Sequence, residues 1–411
     1  MENGNYQNSN SYNDNYYQNL YNMFGTHNPI IDQKAADIRK LGMMAGGACL
    51  IYVVIQYIFV FILSATGMIS VYTEEVIVQN ALNILCSIFA LLVPFLFMYQ
   101  QSSETDKKSI LKFDKPNNAK IAVLAVFSGL GICLVSNIFG NFILGIFSIF
   151  GVEFISGTED IPVATDFAGY FITILCYAVV PPLVEEFAFR GVILQPLRKY
   201  GDKFAIIVSS LIFSLMHGNM VQIPSAFISG LALGYFCIKT GSIWTSVAIH
   251  FANNFISSIM SIYFGQHPDA SDIPATIILF GIGAIGIVAT IIFFTMYNKE
   301  KLANPDDSLS PKLIRSIYIC SPTVVLTIIH SMYNTFKLQK IALGLGMFLM
   351  IALLIVITVI ICNRINLIKN ERQISIGGKY TTSKVFIIAA AIVGAFMIIV
   401  STLASGVNTV Q

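Results

Sequence analysis

Charge is what this sequence lacks. Of its 411 residues only 11% are Asp, Glu, Lys or Arg, and 55% are hydrophobic. Ordinary soluble domains carry about 25% charged residues. A soluble fold of this size could not hide so much apolar side chain, so the surplus must face lipid. Leu353–Ile361 and Ala389–Val400 are almost free of polar atoms. The net charge is only +2, so no basic excess points to nucleic acid as a partner. The seven cysteines (Cys49, Cys86, Cys133, Cys176, Cys237, Cys320 and Cys362) fall singly in or at the ends of apolar stretches. No CxxC spacing exists, which argues against a disulfide framework or a zinc ribbon and leaves small core residues as the plain reading. No HExxH and no short-period repeat is found either.

Residues 1–31 have few aliphatic side chains and are rich in Asn and Tyr, as in Asn13-Asp14-Asn15-Tyr16-Tyr17. Such a stretch cannot offset its ordering entropy and reads as a disordered tail. It has no basic n-region of a signal peptide, and the first apolar run begins near Met43.

Eleven apolar segments follow, at roughly 43–66, 76–99, 120–151, 168–197, 203–217, 224–239, 243–265, 273–297, 316–334, 340–362 and 385–406. A bilayer span needs about 20 residues, and the pair 203–217 and 224–239 falls short of that. With the N-terminus inside, all but two of the 24 Lys and Arg lie in inside segments; Lys337 and Lys340 are the exceptions. The outer loops carry acids instead, among them Glu74, Glu75, Glu153, Glu159, Asp160, Asp269 and Asp272. The fold class expected is therefore all-α, a polytopic transmembrane bundle of about eleven spans. A polar linker at 298–315 divides a membrane block, 32–297, from three accessory C-terminal spans in 316–411.

A charge at the bilayer centre is costly and is by default a functional hypothesis. Glu185-Glu186-Phe187-Ala188-Phe189-Arg190 follows Pro181-Pro182, which should kink or break the fourth segment. Glu186 and Arg190 are four apart and can pair on one helix face. Glu185 points about 100° away and lacks that partner. A capping or ion-pair cluster would explain one Glu–Arg pair but not a second carboxylate. Phe213-Ser214-Leu215-Met216-His217 ends the fifth segment, where a lone His is ordinarily a hydrogen-bonded structural residue. His250-Phe251-Ala252-Asn253-Asn254 lies within the seventh, with His250 and Asn254 on one face. His330, in the ninth, has Asn334 as its one polar neighbour at helical spacing and reads as structural.

Depth ties the first three patterns together. Glu185 lies about 20 Å from Arg198, His217 about 21 Å from Lys203, and His250 and Asn254 about 16 and 22 Å from Lys239, at about 1.5 Å per helical residue. Three helices thus place polar groups at similar depth, as one site would require. The link 218–224 would then turn near membrane depth, which is tolerated where backbone lines a wet cavity. A carboxylate, two imidazoles and an amide can make a general base and an oxyanion site. No Ser or Cys nucleophile stands out, so attack by water is the natural chemistry.

Glu-Glu-x-x-x-Arg at 185–190, Phe-x-x-x-His at 213–217 and His-x-x-x-Asn at 250–254 resemble the three motifs of the CPBP intramembrane proteases. That family includes the type II CAAX prenyl endopeptidases and bacterial proteins labelled abortive-infection or bacteriocin-immunity proteins. Phe189-Arg190-Gly191 and Leu197-Arg198-Lys199-Tyr200-Gly201 are similar in style. The resemblance covers roughly 168–265, the motif core of a protease block at 32–297. It implies that Glu185 and His217 activate water, that Glu186 and Arg190 hold each other, and that His250 and Asn254 stabilise the oxyanion. No cofactor is needed in that mechanism. A metalloprotease version would make Glu185, His217 and His250 ligands of a divalent metal such as zinc. The partners implied are the lipid bilayer and a peptide or protein substrate, lipid-modified or not. A bacterial-type member acting on an unprenylated peptide in the plasma (inner) membrane, with a cytoplasmic N-terminus, fits the tail and the extra spans. Two alternatives stand beside it: a proton- or cation-coupled transporter using the buried carboxylates, and a non-catalytic scaffold or immunity protein.

Overall fold

Nearly continuous apolar sequence leaves a chain in lipid one local option, because each backbone N–H and C=O must be paired within its own segment. The computed structural model describes residues 29–110, 114–149, 152–154, 164–297, 302–303, 311–337 and 339–341. In order, the helices are α1 Pro29–Ala65, α2 Ile69–Glu74, α3 Val76–Gln100, α4 Glu104–Ile110, α5 Ala119–Ile149 and α6 Phe167–Tyr200. They continue with α7 Asp202–Leu215, α8 Ile223–Thr240, α9 Ile243–Gln266, α10 Ile273–Tyr297, α11 Pro311–Ile319 and α12 Pro322–Lys337. Among the described residues the fold is all-helical apart from one small antiparallel ribbon, Val152–Phe154 with Gln339–Ile341, in which Glu153 is the register partner of Lys340. The charge pattern had placed both positions on the outer side, and here they meet at one end of the bundle.

Among the described residues seven helices are long and apolar enough to cross a membrane, and α11 with α12, bent by 66°, makes an eighth if the pair is one span. The chain is a multi-pass membrane protein. The expected count of eleven changes in one describable place. The segment at 203–217 becomes α7, whose 14 residues reach about 21 Å at 1.5 Å per residue, less than the hydrocarbon core. The alternation of basic residues survives this, because α7 goes in and α8 comes back, returning Lys239 to the side of Lys203 whether or not the turn emerges. The segments at 340–362 and 385–406, like the tail at 1–31, lie outside the described residues or almost entirely so.

Lipid offers helices no hydrophobic drive to associate, so close packing at small residues does that work. α5 and α10 cross where Gly131 faces Gly286; a Cβ on Gly131 would stand 2.6 Å from the Gly286 Cα. Gly230 lets α8 approach α7, where an added Cβ would stand 3.0 Å from the Ser210 Cβ, and the Ser136 and Ser229 hydroxyls join α5 to α8 at 2.8 Å. On the far side, large apolar side chains such as Phe280 of α10, 67% exposed, point outward.

The described helices beyond the linker, α11 and α12, pack against the bundle. Thr323 and Thr327 donate to the carbonyls of Met43 and Gly46 on α1, at 2.9 and 3.2 Å. Ser331 donates to the Leu215 carbonyl at the end of α7, at 2.7 Å. Ala303, within the linker, exchanges hydrogen bonds with Asp202 at the start of α7.

Candidate active site

Pro181 and Pro182 decide the shape of α6. They do not break it: residues 167–200 run as one span. The turn before them, Leu175–Val179, widens to a π-helix, and a second π stretch, Phe187–Leu194, follows the two glutamates. The Tyr177 carbonyl would accept from residue 181 in an α-turn and from residue 182 in a π-turn. Both are prolines without an N–H. Asn254 of α9 supplies the missing donor, with its Nδ2 on the Tyr177 oxygen at 3.0 Å.

The two glutamates go opposite ways. Glu186 is fully buried and pairs with the equally buried Arg190, Nη1 to Oε1 at 3.1 Å. Arg190 also donates to the Gly230 carbonyl at 3.2 Å and lies 4.5 Å from the centre of the Phe213 ring. These contacts compensate a cation that could not otherwise be held at that depth. His250 gives its Nδ1 to Glu186 at 2.9 Å and turns Nε2 toward Glu185, 3.8 Å from its Oε2. The Glu185 side chain keeps 24% of its surface. It opens into a cavity of about 620 Å³ that His217 also lines. His217 Nδ1 bonds the Phe213 carbonyl at 3.0 Å. A carbonyl can only accept, so the hydrogen sits on Nδ1 and the Nε2 lone pair is left free. Gly218, at φ +67°, makes the turn directly behind it.

A carboxylate and an imidazole lone pair thus line one cavity, with a buried ion pair beside them. A family model described as "Type II CAAX prenyl endopeptidase Rce1-like" matches residues 167–256. That segment is similar to the CPBP, CAAX-protease family. It is a family of proteases, and the match spans less than a quarter of the chain. Comparison with curated proteins and with solved structures returned no match.

Within the Rce1-like segment, Glu185, Glu186, Arg190 and His250 form one connected cluster, and His217 joins Glu185 across the cavity. Asn254 stands apart from them. One of its two amide hydrogens holds α6, which leaves the other for any further role. Phe213 was quoted as part of a motif but given no task. Its ring meets Arg190, His217 and His250 together, edge-on to the two imidazoles at 5.0 and 5.7 Å. Its spacing of four from His217 was the available signal. His330 was read as structural. It bonds Asn334 at 3.0 Å, and it also lines the cavity. The zinc-like set Glu185, His217 and His250 does not converge. Among the described residues no three His, Cys, Asp or Glu side chains are placed to hold one ion, and His250 commits one nitrogen to Glu186.

Proposed function

We propose that this protein is an intramembrane endopeptidase that cleaves a membrane-associated peptide with water activated by Glu185 and His217. The observation that carries the reading is the cavity these two side chains share, beside a buried glutamate that Arg190 and His250 both hold. Glu185 is the carboxylate free to accept a proton, and the His217 Nε2 lone pair can orient the same water. The water oxygen attacks the substrate carbonyl carbon as its proton passes to Glu185. The tetrahedral oxyanion is held by the second Asn254 amide hydrogen and by His250, which donates from Nε2 when that nitrogen also carries a proton. The C–N bond then breaks, and the proton on Glu185 goes to the leaving amine. His250, tied to Glu186, stays beside Glu185 throughout. The donor set gives no support to a metal, so a chelator should leave the rate unchanged. The charge pattern favours a cytoplasmic N-terminus, and we place the protein in a bacterial plasma membrane on the same grounds as above.

The test is cleavage of a quenched-fluorescence peptide library by purified protein, with Glu185→Ala and His217→Ala compared to the unsubstituted chain. Retained cleavage by either variant would sink the mechanism. A liposome flux assay on the same preparations separates the transporter reading, which requires ion movement that Glu185→Ala abolishes.

A further inference from the structure

The cavity reaches well beyond the Rce1-like segment. Another wall comes from α1 and α12, and polar side chains are set among the apolar ones there. Tyr52 accepts from Gln56 at 2.7 Å within α1, and the Asn334 amide meets His330 Nε2 at 3.0 Å within α12. Tyr57 of α1 stands edge-on to the His330 ring at 5.9 Å and fixes its plane. Polar side chains in a membrane span are costly and line functional cavities when present. The helix pair that carries His330 is also anchored next to the catalytic turn. Ser331 bonds the Leu215 carbonyl, and Asn334 lies against Gly218, the residue after His217.

The His330–Asn334 pair uses one donor and one acceptor on itself. With the amide donating to Nε2, the His330 Nδ1–H and the Asn334 carbonyl oxygen remain. With the amide turned over, the imidazole gives the acceptor and the amide the donor. Either way, the pair lines the same cavity as Glu185 and keeps one donor and one acceptor that have no hydrogen-bond partner among the described residues. That pattern complements a peptide unit or a carboxamide side chain. A hydrocarbon chain would leave both groups desolvated and unpaired.

Resting on the endopeptidase reading above, we propose that His330 and Asn334 form a substrate-binding subsite, supplied by the C-terminal helix pair, that takes an unlipidated peptide segment through paired hydrogen bonds. The pair selects substrate and does not take part in bond breaking. The experiment uses the full chain in detergent with quenched decapeptides, unlipidated and farnesylated versions of the same sequences. His330→Ala and Asn334→Ala should raise KM for the unlipidated peptides about tenfold, the factor that corresponds to one lost hydrogen bond of about 1.4 kcal/mol. kcat should change little, and His330→Gln, which restores a donor and an acceptor, should recover KM. Unaltered KM in both alanine variants, or an equal loss of kcat, overturns the subsite while leaving the endopeptidase reading intact. So does a farnesylated peptide that gains as much from His330 as its unlipidated twin loses without it. If the unsubstituted chain cleaves nothing, the endopeptidase reading fails. The subsite is then judged by fluorescence polarisation of a labelled unlipidated decapeptide, and binding unaffected by the double alanine substitution overturns it.

Discussion

The two walls of the cavity have different origins and different partners. One is made by α6 and the end of α7, within the family segment, and carries Glu185 and His217. The other is made by α1 and α12, which no family pattern covers, and carries Tyr57 and His330. Behind the first wall lies a fully buried ion pair, Glu186 with Arg190, with Phe213 packed on it. Behind the second lie hydroxyl-to-carbonyl bonds between helices, from Thr323, Thr327 and Ser331, and apolar packing, with no ion pair among the described residues. A reacting group must be held in place by neighbours that cannot relax. A recognition surface can be held more loosely. The contrast suggests chemistry on the first wall and selection on the second.

The largest effect should come from the first wall. Glu185→Gln keeps the shape and removes the base, so kcat should fall by about 10²–10⁴-fold with no change in unfolding. If His330→Ala costs kcat as much, the two walls do not differ in role. Next is Arg190→Ala, which strands a buried Glu186 charge and should destabilise the protein by about 3–5 kcal/mol. Unfolding in detergent can be followed by Trp244, the chain's one tryptophan; a loss below about 1 kcal/mol would show that water reaches the pair. Asn254→Ala leaves the Tyr177 carbonyl unpaired and should cost about 1–3 kcal/mol, with a smaller loss of kcat than Glu185→Gln. A kcat loss equal to that of Glu185→Gln at unchanged stability would make Asn254 a catalytic group first and a support for α6 second. The smallest effect belongs to the second wall. Ser331→Ala removes one bond to the Leu215 carbonyl, worth about 0.5–1.5 kcal/mol. It should raise KM more than it lowers stability, because that bond seats α12 beside His217.

Much of the first wall was legible because its signals are local. Glu186 and Arg190 are four apart on one helix, and the depth of His217 and His250 follows from counting residues to the nearest inner basic group. The short α7 was legible for the same reason, since its 14 residues cannot span. Three things were hidden. The prolines were expected to kink or break α6; it runs through them as one span with a π-turn, and a side chain from another helix pairs the freed carbonyl. Asn254 was therefore given an oxyanion role without sight of its bond to Tyr177. His330 looked structural because its one close polar neighbour in sequence was Asn334, and nothing local revealed that the pair lines the same cavity as Glu185.

The sequence by itself determined that this chain lives in a membrane, that its carboxylates at 185 and 186 differ, and that three polar motifs lie at one depth. Those properties depend on composition, helical periodicity and rise per residue, all of which act within a segment. Only the tertiary structure decided which groups line the cavity, that His250 sits between the two glutamates, and that α12 supplies another wall. Helices in lipid choose neighbours through close approach at small residues, such as Gly131 against Gly286 and Gly46 against Thr323. That complementarity of surfaces is not written in any one segment.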